Sequence, residues 1–171
     1  TLMRAAGMKG PRVNHARISV NGTYYGLYEN IEQIDLEFLR YQFVNWDGNL
    51  YLHGDTLETN NKGTPDMSDE WDLQDLVEKE PLSGDHAAFF AAIAPLMDPL
   101  QFMRFSAAER VLPTGDNWTN GSWNFYYYHD GPRGLILLPN DLDTVMLPRL
   151  APADADLYEF WGSSDAFLGP N

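Results

Sequence analysis

The 171-residue sequence predicts an α+β fold: strands come first, helices occupy the middle, and a second hairpin follows them. Three observations carry this prediction. Asn21-Gly22 sits between two β-branched and aromatic runs. Residues 86–111 hold Ala-Ala and Phe-Phe pairs and a Pro99 suited to a first helical turn. Late in the chain, Trp123–His129 and Gly134–Leu138 form two strand-like runs joined at Asp130-Gly131. Strands and helices are segregated rather than alternating, which argues against a βαβ arrangement.

Residues 1–14 are basic and glycine-bearing, and read as the tail of a helix followed by a loop. His15–Val20 and Tyr24–Ile31 are predicted to pair as a hairpin, because Asn-Gly supplies the two positive φ angles of a type I′ turn. Asp35 is placed to cap a short helix over Leu36–Phe43. Asp47-Gly48 turns the chain into a short strand at Asn49–Leu52. Residues 54–68 are rich in Thr, Asn, Gly, Pro and Asp and read as a loop. Ser68 or Asp69 then caps a helix over Glu70–Lys79, and Pro81–Gly84 breaks it. Further helices are predicted over His86–Leu96 and Pro99–Val111. Pro113–Gly121 is polar and turn-forming, and Pro139–Asp143 is a carboxylate-bearing loop after the late hairpin. There is no internal repeat. Thr1 enters mid-pattern and Gly169-Pro170-Asn171 lacks a closing element, so the chain reads as a segment of a longer protein.

Composition narrows the function. A hydrophobic fraction of 44% allows a packed core. The net charge of -14 argues against nucleic acid as a partner and against binding to an anionic membrane surface. No stretch is long and apolar enough for membrane insertion. With no cysteine, disulfides, thiolate nucleophiles and zinc-thiolate sites are excluded. The four histidines are scattered, with no pair at helical metal spacing. Lysine occurs only at 9, 62 and 79, so a phosphate-binding site must draw its positive charge from these, from Arg or from metal.

The acidic excess has two readings, a solvated surface or carboxylates converging on a divalent cation. Hairpin geometry favours a specific place for the second. The open ends of a hairpin lie about 5 Å apart, so Asn124, entering the first late strand, is expected near Asp141, leaving the second. Asp116 lies on the loop just before, and Asp143 follows. These are hard oxygen ligands, and Mg²⁺ is held by few carboxylates together with substrate phosphates. Such a cluster suits phosphoryl transfer, which needs positioning and charge neutralisation rather than a nucleophilic side chain. Asp- and Asn-rich loops beside hairpins also serve simply as turns and caps. The aromatic run Phe125–Tyr128 reads as core and edge rather than a binding platform.

Three stretches resemble the CotH (spore coat protein H) kinase family. Val20-Asn21-Gly22-Thr23-Tyr24-Tyr25-Gly26-Leu27-Tyr28, with Glu32-Gln33-Ile34-Asp35 after it, is similar to the family's glycine-bearing strand and trailing acidic motif. Asp116 through Asn124-Phe125-Tyr126-Tyr127-Tyr128 resembles its catalytic segment, and Leu138-Pro139-Asn140-Asp141-Leu142-Asp143 its metal-binding turn. The order and approximate spacing agree. The resemblance implies part of an atypical protein-kinase-like fold, with residues 1–53 as a β-rich small-lobe part and 54–171 as a helical lobe. It implies phosphorylation of Ser-containing, coat-like protein substrates with ATP and Mg²⁺ or Mn²⁺, in a bacterial spore coat, envelope or secreted setting. By position, Asp116 is the implied catalytic aspartate, and Asn124 and Asp141, with Asp143 as an accessory carboxylate, are the implied metal ligands. Glu32, Gly22 and Gly26 are implied in the nucleotide cleft, although Gly22 and Gly26 also fit a plain turn. The sequence departs from the family at Asn140, where Trp is usual, at Trp123, and after Tyr51, where Leu52 and His53 stand in place of a basic residue. A non-catalytic module on the same fold, binding protein or carbohydrate through its aromatics, is the alternative, and a calcium-stabilised module a third.

Overall fold

In the computed structural model the described residues are 2–53, 56–59, 86–112, 118 and 124–142. The short helix α1 (Leu2–Ala5) leads through a loop into the hairpin of β1 (Val13–Val20) and β2 (Thr23–Ile31). Asn21 and Gly22 take φ of 52° and 82°, the sign pattern that a type I′ turn needs. The register runs from Val13 opposite Ile31 to Val20 opposite Thr23, with one irregularity between Ile18 and Ser19. The hairpin begins two residues earlier than its apolar pattern suggests, because backbone pairing carries on past His15 through Asn14.

Helix α2 (Leu36–Gln42) starts where Asp35 predicts. The Asp35 carboxylate accepts from the backbone N–H groups of Glu37 and Phe38 at 2.9 and 3.1 Å, filling two positions that no helical carbonyl can serve. The same device recurs at Asp98, which accepts from Leu100 and Gln101 and opens the helix over Pro99–Val111.

A four-stranded antiparallel sheet follows, in the order β4-β3-β5-β6. Its strands are β3 (Leu50–Leu52), β4 (Thr56–Thr59), β5 (Phe125–His129) and β6 (Leu135–Pro139). Between β4 and β5 the described helices are α3 (His86–Ile93) and α4 (Pro99–Val111). The sheet thus joins residues on both sides of position 53. Strand β4 corrects the expectation of a loop from residue 54: Thr56-Leu57-Glu58-Thr59 pairs with β3 as an edge strand. Its polar composition hid it, yet an edge strand has one solvated face and tolerates Thr and Glu there. The predicted helix over 70–79 lies outside the described residues. The late hairpin matches expectation with a wider connection: residues 130–134 turn through a 3₁₀ segment at Gly131–Arg133, closed by Asp130 N–H to Gly134 O at 3.0 Å.

Both faces of the sheet are covered, which explains the unbroken apolar run of β6 and its burial at all five positions. On one face Tyr51, Phe125, Tyr127, Leu135 and Leu137 pack with Met3, Met8, Ile93, Met97, Phe105 and Trp118. On the other, Leu50, Tyr128, Ile136 and Leu138 pack with Ile34, Phe38, Leu39 and Phe43. The aromatic run is therefore core. The outer edge of β6 is closed by the helical layer: Leu135 N–H donates to Leu96 O at 2.8 Å. The Gln101 amide donates to Leu137 O at 2.6 Å and accepts from Leu137 N–H at 3.2 Å, standing in for a fifth strand.

One close approach locks the sheet to the segment after α2. Gly48 lies so near β5 that a Cβ there would overlap the His129 carbonyl oxygen. Beside it the Tyr128 hydroxyl accepts from Gly48 N–H at 3.2 Å and donates to the Asn45 carbonyl. Gly48→Ala is expected to destabilise by about 3 kcal/mol, the upper end for overpacking, read as a lowered urea midpoint with unchanged slope. Burial pushes the Tyr128 phenol up to about 12. The unfolded chain then loses its tyrosine proton first, so stability is full below about pH 10 and declines toward pH 12. Tyr128→Phe should flatten that alkaline decline in urea midpoints, and an unchanged slope would refute the assignment.

Candidate active site at the open end of the sheet

Strands β3, β5 and β6 end together, and their backbones are tied where they end. His53 N–H donates to Phe125 O at 3.1 Å, and Asn140 N–H donates to Asn124 O at 3.0 Å. Three consecutive strand positions across the sheet therefore bring His53, Asn124 and the Asn140-Asp141 pair to one end. This is the juxtaposition of Asn124 with Asp141 that the hairpin predicts.

The same end carries unusual backbone. Among the described residues, four non-glycine residues have positive φ: Asn21, His53, Asn124 and Asp141. Asn21 is the hairpin turn. The other three, at 53°, 59° and 43°, all stand at this end of the sheet. Asn and Asp visit the left-handed region at modest cost because their short polar side chains bond locally. Strained backbone of this kind clusters at functional sites, where surrounding structure holds it. Strand β5 begins at Phe125, directly after the left-handed Asn124, while Trp123 lies outside the described residues.

Asp116 and Asp143 lie outside the described residues. Their chain neighbours are anchored, however. Trp118 is buried, with its ring edge-on to Phe102 at 5.1 Å, on the same face of the sheet as Phe125 and Tyr127. Leu142 packs on that face also, one residue before Asp143.

Glu32 belongs to a cluster at the base of the first hairpin. Its carboxylate accepts from Arg12 N–H at 3.0 Å, from Arg12 Nε at 2.9 Å, and from the Arg12 Nη2 group. Glu32 N–H in turn donates to Arg12 O at 2.8 Å. Arg12 also stacks over the Tyr41 ring, 4.1 Å from its centre. Gly10 abuts β6, where an added Cβ would be 3.4 Å from Pro139 Cγ and 3.8 Å from Arg4 Cγ. The basic start of the chain thus passes the end of β6 just before Asn140-Asp141. Gly22 sits at the hairpin tip with φ 82°, and Gly26 leaves room for the Tyr28 ring, which an added Cβ would meet at 2.9 Å. Both glycines have local reasons to be where they are.

A family model for CotH kinase protein matches residues 1–148, most of the chain. The chain belongs to the CotH kinase family. No curated protein matches it. The matched span contains both sheets and every candidate position, from Gly22 through Asp143. A kinase family works in general with a nucleotide and a divalent metal. Among the described residues of this CotH-family chain, no three His, Asp or Glu groups converge on one point. Asn124 and Asp141, which stand at neighbouring strand ends through the Asn140–Asn124 backbone bond, carry one amide oxygen and one carboxylate. That donor set fits Mg²⁺, which keeps waters and substrate phosphates as its other ligands.

Trp118 and Arg12 escaped sequence reading. Arg12 had one signal, the basic character of residues 1–14. Trp118 had none, because only core packing brings it to this face of the sheet.

Arg12 holds the Glu32 carboxyl below the usual carboxylate range, chiefly through its side-chain hydrogen bonds and then its backbone N–H, against the opposing effect of burial. A depressed folded pKa stabilises above the ordinary carboxylate value of about 4.3 and loses that stabilisation as pH falls through the depressed value. Arg12→Ala should therefore melt below wild type at pH 7, with the gap closing as pH drops below about 4. A gap independent of pH would show that the pair contributes through packing alone.

Proposed function

We propose that this chain carries a metal-dependent site for transfer of the ATP γ-phosphoryl group to a Ser hydroxyl of a protein substrate. The observation that carries the reading is the Asn124–Asp141 juxtaposition at the open end of the sheet, within a CotH-family match.

In this reading Asn124 and Asp141 supply the protein oxygens for Mg²⁺ or Mn²⁺, with Asp143 as an accessory carboxylate. The metal, when bound, neutralises phosphate charge that a chain of net charge -14 would otherwise repel. Asp116 orients the substrate Ser hydroxyl and accepts its proton. The Ser oxygen forms the new bond to the γ-phosphorus as the bond to the ADP oxygen breaks, and the proton passes from Asp116 to solvent. The tie between Asn140 N–H and Asn124 O fixes the spacing of the two ligand-bearing turns, so positioning is built into the backbone. The fold in this reading is a partial, atypical protein-kinase-like one, and its substrates are Ser-containing coat-like proteins of a spore coat, envelope or secreted setting.

A second reading keeps the fold for binding alone. It is favoured by Glu32, whose carboxylate is engaged by Arg12, and by the exposed tyrosines Tyr24, Tyr25 and Tyr28 on the first hairpin.

A thermal-shift titration with ATP, with and without Mg²⁺ or Mn²⁺, separates the two. Stabilisation of several degrees that needs nucleotide and metal together, and vanishes in Asp141→Ala, is the expected result. An equal shift in Asp141→Ala would refute the ligand assignment. No shift in a well-folded wild-type protein would leave binding as the function.

A further inference from the structure

We propose that one face of the first hairpin, Tyr25 and Tyr28 flanked by Asn14 and Asn30, binds a neutral glycan of the extended, equatorially linked kind found in cellulose and chitin. The inference takes the exposed tyrosines of the second reading to a ligand class, and it stands apart from the phosphoryl-transfer site. Three observations carry it. First, a β-bulge re-aims Tyr25. Ile18 pairs with Gly26 and Ser19 with Tyr24, so Tyr25 is the extra residue. Strict alternation would put Tyr25 on the face of Leu27, away from Tyr28. At the bulge it instead lies parallel to Tyr28, with ring centres 6.2 Å apart and planes within 11°. Second, Gly26 lets the Tyr28 ring lie across the strand, because a Cβ there would stand 2.9 Å from it. Both rings stay open, with Tyr25 exposed at 70% and Tyr28 at 46%. Third, this face is uncharged. The register puts Asn14, Ala16, Ile18 and Asn30 on the face of Tyr28, while Arg17 and Glu29 belong to the other face. The Asn14 and Asn30 side-chain amides make no hydrogen bond among the described residues.

The chemistry fits the surface. An equatorially linked sugar carries its hydroxyls at the rim and its C–H bonds on two flat faces. Those faces pack on an exposed aromatic ring, and the rim hydroxyls bond to side-chain amides such as those of Asn14 and Asn30. An extended chain presents successive flat faces, which suits two parallel rings. Charge decides against other occupants. Anionic polymers are repelled by a chain of net charge -14, and a cationic one finds no carboxylate among the described residues of this face. A proline-rich peptide needs an aromatic-lined groove, whereas these tyrosines lie on the open face of a two-stranded sheet.

Binding of cellohexaose and of hexa-N-acetylchitohexaose would be measured by calorimetry, with maltohexaose, whose axial linkages coil the chain, as the control. The variants are Tyr25→Ala, Tyr28→Ala and Tyr25→Phe, with melting temperature read without ligand. The expected result is binding of an extended oligosaccharide and not of maltohexaose, and which of the two binds tells whether the ligand carries N-acetyl groups. Each alanine variant should lose affinity about tenfold, with Tyr25→Ala melting as wild type does. Tyr25→Phe keeps the ring and should bind near wild type. No binding of either extended oligosaccharide by wild type would overturn the proposal, as would undiminished binding in the alanine variants. The same variants titrated with ATP and Mn²⁺ separate this surface from the other site. Loss of the metal-dependent shift in them would place the tyrosines in the nucleotide cleft and overturn the proposal. Absence of that shift in wild type overturns the phosphoryl-transfer reading and leaves this one standing on the oligosaccharide result.

Discussion

Antiparallel pairing of β5 with β6 is the constraint on which the rest of the described structure depends. The five-residue register from Phe125 opposite Pro139 to His129 opposite Leu135 sets both faces of the core at once. Phe125, Tyr127, Leu135 and Leu137 point to the helical layer, while Tyr128, Ile136 and Leu138 point to α2. A slip of one residue would exchange these two sets. The same register fixes which residues leave the sheet together, so core packing and site geometry are one specification. Gly48, Tyr128 and Gln101 guard that register from three directions: a close backbone approach, a buried hydroxyl and a closed edge.

Beside this doubly covered sheet the first hairpin is held differently. Its strands are mostly exposed on both faces, and a two-stranded ribbon is marginal by itself. It is closed at its base by the Arg12–Glu32 pair and anchored through Ile34 to the second core cluster. Stacking of Tyr25 on Tyr28 at 6.2 Å and of Arg17 on Tyr24 at 4.9 Å adds local order along its surface. Arg12 thus gives this acidic chain a charge pairing at the junction between ribbon and sheet. Its partner, Glu32, was expected in the nucleotide cleft, and its three hydrogen bonds from one arginine make it first a clamp.

The site is built from backbone that local preference resists. Left-handed His53, Asn124 and Asp141 stand where three strands stop, each within one or two residues of a core side chain. Phe125, Trp118 and Leu142 provide the anchorage, and polar residues ride on them. The stability of the hydrophobic layer is in this way converted into fixed positions for polar residues at its rim.

The amino-acid sequence by itself determined the hairpin at Asn21-Gly22, the helix capped by Asp35, the helix opening at Pro99, and the late strand pair. Each is written in local chemistry: positive φ at Asn-Gly, side-chain caps on orphan N–H groups, and continuous apolar runs. It also placed Asn124 beside Asp141, because two strands joined by a short connection must bring their open ends together. Tertiary structure alone decided the rest. Thr56-Leu57-Glu58-Thr59 is a strand because β3 offers it an edge, not because its composition asks for one. Glu32 is paired because the fold returns β2 to Arg12, 20 residues earlier in the chain. His53 and Trp118 reach the site through a strand pairing and a core contact that connect residues far apart in sequence. Such contacts leave no periodicity to read, since their energy comes from surfaces that meet only after the chain has folded.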